Sequence, residues 1–127
     1  MFSHIIIGAD DMAAARDFYD AALGALGVPP GRDDPQGRIF YKNSAGLFGI
    51  TRPIDGRPAS GANGGTIGFA AASPDEVDAW HAAGSKAGGT PCEEPPGVRD
   101  RSGRRIYLAY LRDPAGNKLC AAYRFPT

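Results

Sequence analysis

Leu111-Arg112-Asp113-Pro114-Ala115-Gly116, followed by Asn117, is the stretch on which the fold turns. It has an echo at Tyr41-Lys42-Asn43-Ser44-Ala45-Gly46. Both read as an apolar residue, a basic one, Asn or Asp, Ser or Pro, and then Ala-Gly. An Asn or Asp side chain bonds its own backbone two residues on, and a glycine behind it accepts the positive φ of a tight turn. Strand-like runs flank both copies, at 38–42 and 47–51 around the first and at 106–112 and 118–124 around the second.

Working outward, each pair of strands is preceded by the same elements. Residues 3–9 are rich in β-branched side chains and predict a strand. Asp10 or Asp11 then caps a helix that carries Met12, Ala15, Phe18 or Tyr19, Ala22, Leu23 and Leu26 at helical spacing and stops at Gly27. Pro29-Pro30-Gly31 follows as a loop or short edge strand. A Pro/Gly-rich connector over 52–65 separates this half from the next. There, 66–71 predicts a strand, and Ser73-Pro74-Asp75-Glu76 combines a capping box with proline at the first helical position. Val77, Trp80, Ala83 or Gly84, and Ala87 form the apolar stripe of that second helix before Gly88-Gly89 ends it. A strand or edge near 90–93 comes next, and then a charged loop before residue 106.

Setting His4 opposite Thr66 places Phe18 opposite Trp80 and Gly27 opposite Gly89. The order strand, helix, three strands therefore occurs twice, the sign of an internal duplication. A chain of 127 residues fits one such domain over 1–127, with module one at about 1–55 and module two at about 64–127. The fold class is α+β: two βαβββ modules forming an open, curved mixed sheet around a cleft, with helices on the outer face.

Composition narrows the partners. Lys+Arg and Asp+Glu are equal at 14 each, so no global charge draws the chain to nucleic acid, an anionic membrane or an acidic partner. The apolar runs are far below the ~20 residues of a membrane span. Met1 leads into the first strand without a basic or apolar leader, so a cytoplasmic location is expected. Cys92 and Cys120 stand outside any CxxC or Cys/His zinc spacing and are expected to be reduced. No GxGxxG, P-loop, GxSxG or HExxH pattern is present.

Phe2-Ser3-His4-Ile5, the Ala14-Arg16-Phe18-Tyr19 set and the closing Asp113-Pro114-Ala115-Gly116-Asn117-Lys118-Leu119 together resemble the vicinal oxygen chelate superfamily. That superfamily includes glyoxalase I, extradiol dioxygenases and bleomycin-resistance proteins. The resemblance implies two βαβββ modules around a cleft, in which a divalent metal chelates two adjacent substrate oxygens. It places the metal ligands on the first and last strand of each module. Those positions hold His4, Ile50 (or Gly49, one residue away), Thr66 and Cys120. Only His4 is a usual ligand. No cofactor is therefore expected, and metal-dependent lyase or dioxygenase chemistry is disfavoured.

The candidate ligand-binding residues are His4, Phe48, Ile50, Thr66, Tyr107, Tyr110 and Cys120. His4 and Cys120 are also the candidate catalytic pair, because the resemblance brings first and last strands of opposite modules together at the cleft. Tyr107 and Tyr110 fall on opposite faces of one strand, so one should face the cleft and the other the helix layer. Arg99, Asp100, Arg101, Arg104 and Arg105 read either as a solvated loop or as a lid over an anionic ligand. His81 reads as a boundary helix residue. Three functions follow: a small-molecule binder with a degenerate metal site, a lyase or isomerase of glyoxalase type with an atypical site or none, and an interaction module without a ligand. Neutral net charge disfavours a cationic drug as the ligand. The resemblance further implies a homodimer, with module edges covered by a second chain.

Overall fold

The computed structural model describes residues 1–126 and shows the order strand, helix, strands twice, with one strand more in the second module. Module one runs β1 (His4–Gly8), α1 (Met12–Gly24), β2 (Arg32–Asp33), β3 (Ile39–Asn43) and β4 (Gly46–Thr51). Module two runs β5 (Ile67–Ala70), α2 (Pro74–Lys86), β6 (Thr90–Pro91), β7 (Gly97–Arg101), β8 (Arg104–Arg112) and β9 (Lys118–Arg124). The strands lie in two open mixed sheets. The first has the order β1-β4-β3-β2, and the second β5-β9-β8-β6 with β7 also on β8. The first strand of each module runs parallel to its last, β1 to β4 and β5 to β9.

Local chemistry sets the elements. Asp11 caps α1 by accepting from the Ala14 amide at 2.9 Å. Ser73 caps α2 through the Glu76 amide at 3.1 Å, and the Glu76 carboxylate returns to the Ala72 amide, a reciprocal arrangement close to the expected capping box. Asn43 Oδ1 closes the first turn by accepting from the Ala45 and Gly46 amides. Asp113 Oδ1 closes the second through Ala115 and Asn117.

Residues 97–105 differ from the expected loop. They form a hairpin in which Arg101 pairs with Arg104 across Ser102 and Gly103, both at positive φ (55 and 78). Two residues of that conformation match the twist of the flanking strands. Arg99 is no lid residue: its guanidinium bonds the Glu94 and Pro95 carbonyls.

One core joins the modules. Phe18, Tyr19 and Leu23 of α1, Val77 and Trp80 of α2, and Ile50, Leu111 and Leu119 of the sheets are fully or almost fully buried in it. Gly84 lets the helices approach, since a side-chain carbon there would sit 2.5 Å from Leu111 and 3.1 Å from Phe18. Phe48 of the first sheet meets Phe69 of the second edge-on, with ring centroids 5.2 Å apart. The helix-bearing faces of both sheets therefore share this core, and the opposite faces turn outward.

The joint is polar at its centre. Buried Asp113 accepts from the Tyr19 hydroxyl at 2.5 Å and from Asn117 Nδ2 at 2.9 Å. The Asn117 side chain also donates to the Gly8 carbonyl at 3.0 Å, tying β1 to the β8–β9 turn.

Candidate functional site

Strand alternation sorts the candidate residues by face. On β1, Ile5 and Ile7 pack toward the core, so His4, Ile6 and Gly8 lie on the outward face. His4 pairs with Leu47 and Ile6 with Gly49, which puts Leu47, Gly49 and Thr51 on that same face. Ile50 is on the other one and fully buried. Ile50, expected at a ligand site, is a core residue on the face of Phe48, and Gly49 occupies the outward position. Phe40 lies across Gly49 and reaches toward Ile6, filling the place of the missing side chain.

In module two, Cys120 pairs with Tyr110 on one side and Gly68 on the other, so these three share the outward face. Lys118 is held beside Glu93 and lies 5.1 Å above the Tyr110 ring. Burial pushes the Cys120 thiol up, only partly offset by Arg124 and Lys118. Tyr107 faces the helix layer, where its hydroxyl donates to Asp78 at 2.9 Å, so Tyr110 is the tyrosine on the outward face. Tyr107 is not among the residues that line the cavity described below. Thr66 is exposed just before β5. His81 is half-buried on α2, and burial pulls its imidazole pKa down.

The structure does not join His4 to Cys120. They stand on different sheets, and the charges that act on the Cys120 thiol are Arg124, Glu93 and Lys118. The His4 ring instead meets its neighbour, with Nδ1 2.7 Å from Ser3 Oγ. The donors at the four positions implied for a metal are one imidazole, no side chain at all at the outward Gly49, one exposed hydroxyl and one buried thiol. Among the described residues no three His, Cys, Asp or Glu side chains gather. This donor set does not fit the metal of the superfamily.

A cavity of about 240 Å³ opens at a different place, around the start of β1 and the β3–β4 turn. Its walls are apolar: Leu23 and Leu26 at the end of α1, Phe48, and Ile67 and Phe69 of β5. Polar groups reach it from Ser3, His4, Asn43 and Tyr41. The Tyr41 hydroxyl donates to Asp20 at 2.7 Å, and burial with that bond raises its pKa far above the usual phenol value. Of the sequence-predicted residues, only His4 and Phe48 line this cavity. Leu26, Ile67, Phe69 and Asn43 were not singled out as site residues, because packing between modules brings them together. Asn43 carried a signal only for its turn.

The fold and this arrangement define a class, and comparison with known proteins gives the same one. The model of the Glyoxalase/Bleomycin resistance protein/Dioxygenase superfamily matches residues 1–121, and the chain belongs to that superfamily. It is similar to a glyoxalase/bleomycin resistance protein from Albidiferax ferrireducens T118 at 56% identity, with a TM-score of 0.95 over 98% of this chain and 99% of that one. A glyoxalase-related enzyme from Fulvimarina pelagi shares the fold at 18% identity and TM-score 0.73, covering 97% of this chain and 87% of its own. Lactoylglutathione lyase from Agrobacterium tumefaciens does so at 24% identity and TM-score 0.65, with 97% and 92% covered. No curated protein matches the chain.

Proposed function

We propose that the protein binds a small, largely apolar organic molecule in the cavity between β1, the end of α1 and β5, and that it does so without a metal. The supporting observation is the cavity itself, apolar in its walls with a few polar groups at one side, which is the usual make-up of a small-molecule site. An apolar cavity of roughly 150 Å³ holds one benzene ring. The volume of about 240 Å³ therefore has room for an aryl ring with a short substituent. A lyase or isomerase reading needs an activated group, and the Cys120 thiol is held in its unreactive form by burial, with no imidazole beside it.

A homodimer goes with this reading. Among the described residues β1 pairs only with β4 and β5 only with β9, so each keeps one free edge. Free edges and the outward Ile6, 38% exposed, are what a second copy would cover. The two unpaired cysteines support a cytoplasmic location, and no helix among the described residues is long and apolar enough to cross a membrane.

The test is an aryl-fragment screen by ligand-observed NMR on the wild type and on Leu26→Trp, which fills the cavity. Binding by the wild type and a loss of tenfold or more in the variant are expected. Equal affinity in both proteins would put the ligand elsewhere. Elemental analysis, with a thermal-shift panel of divalent ions, should find no stoichiometric metal and no stabilisation; a tightly held ion overturns the metal-free clause. Light scattering after size exclusion should give twice the 13.3 kDa chain mass.

A further inference from the structure

We infer that the cavity selects uncharged molecules that carry a hydrogen-bond-accepting oxygen, and that the Asn43 amide is the donor that reads it. This rests on the binding role proposed above. No Asp, Glu, Lys or Arg lines the cavity, so an ionised ligand would leave water without a counter-charge to meet it. Lys42, next in sequence to Asn43, is not among the residues that line it.

The polar groups that do line the cavity are mostly committed. The Tyr41 proton is used on Asp20. Ser3 and His4 are bonded to one another, and the tautomer decides which of them donates. The free edge of β1 offers N–H and C=O groups alike, so it discriminates between neither polarity. Asn43 differs. Its Oδ1 accepts from the Ala45 amide at 2.8 Å and the Gly46 amide at 3.2 Å, which fixes which end of the carboxamide is which. The Nδ2 end of this exposed side chain has no protein partner among the described residues, so it stands at the cavity's solvent-facing rim. Alternation along β3 places Asn43 on the face of Tyr41, toward the cavity. The group oriented by the fold and still unpartnered is therefore a neutral donor.

A ketone, lactone or amide oxygen on an aryl body matches that donor. A carboxylate meets it too, but loses its hydration with no lysine or arginine lining the cavity. An ammonium finds no counter-ion among the lining residues.

The experiment titrates acetophenone, benzoate and benzylamine into the full chain at pH 7 by NMR, with wild type, Asn43→Asp and Leu26→Trp. Asn43→Asp preserves the turn, because a carboxylate accepts the same two amides, and it exchanges the free donor for a negative charge. Wild type should bind acetophenone at least tenfold tighter than either ion. Asn43→Asp should weaken acetophenone about tenfold and turn the preference to benzylamine, with thermal unfolding close to wild type. Similar affinities for all three probes, or an unchanged order in Asn43→Asp, overturn the selectivity while leaving a cavity that Leu26→Trp still blocks. No binding by any probe overturns the binding role and this inference with it.

Discussion

Tyr19→Phe tests whether the modules are held together by the buried bond between Tyr19 and Asp113. The ring is fully buried and packs at 4.8 Å from Phe18 and 5.1 Å from Phe48, centroid to centroid. Phenylalanine keeps those contacts, so the change removes the hydroxyl alone. A hydrogen bond to a charged acceptor contributes about 1.5–3 kcal/mol. Asp113 would retain the Ala115 and Asn117 amides and Asn117 Nδ2, so the carboxylate is not orphaned. The expected loss is therefore about 2 kcal/mol, or on the order of 8 °C in Tm for a chain of this size. Asp113→Ala should cost more, since it strands several donors, the buried Tyr19 hydroxyl among them.

The same bond gives a pH signature. Burial first, and Asp113 second, hold the Tyr19 phenol well above its ordinary pKa. An unfolded tyrosine ionises near pH ~10 while the folded one stays protonated, so the unfolded state releases protons first and stability falls as pH rises past about 10. Below that pH the contribution is fully present. Urea unfolding of wild type and Tyr19→Phe from pH 7 to 11 should show the 2 kcal/mol gap at neutral pH and a flatter alkaline decline in the variant. Tyr41, raised by burial and Asp20, keeps part of the decline in both. A neutral-pH loss under ~0.5 kcal/mol, with identical alkaline slopes, would refute the account of this joint.

Two further outcomes follow from the packing. Gly84→Val should destabilise by about 3 kcal/mol in urea unfolding, because the added carbons meet Leu111, Phe18 and Ala22 together; a neutral effect would mean the helices separate easily. Cys120 should react with iodoacetamide at pH 8 several-fold more slowly than a free thiol, and more slowly than half-buried Cys92 by peptide mapping. Faster labelling of Cys120 would reopen a nucleophilic role for it.

What was legible in the sequence was local. Caps at Asp11 and Ser73 and the turns at Asn43 and Asp113 are set by side chains bonding backbone within four residues, and all four appear where the residues imply. The β7 strand was hidden because Arg99, Asp100 and Arg101 in succession break any apolar/polar alternation, and its turn is only Ser102-Gly103. At Ile50 or Gly49 the sequence leaves one residue of slack, which in a strand decides the face, and only the pairing with β1 puts Gly49 outward. The cavity depends on which apolar faces meet, and Leu26, Ile67 and Phe69 give no local sign of it.

That division also explains how such a fold tolerates different residues at the positions implied for a metal. The positions His4, Gly49, Thr66 and Cys120 belong to the outward side of the sheets or, for Thr66, to the exposed lead into β5. A change there alters donors without opening a void among Phe18, Trp80 and Leu111. Asp113, Asn117 and Tyr19 sit inside the joint, where losing one partner leaves others buried and unpaired. The turn that identifies the superfamily is thus held by packing, and the ligand positions are held only by whatever chemistry they serve. Membership fixes the scaffold here, and function has to be argued from the apolar cavity and from Asn43 at its rim.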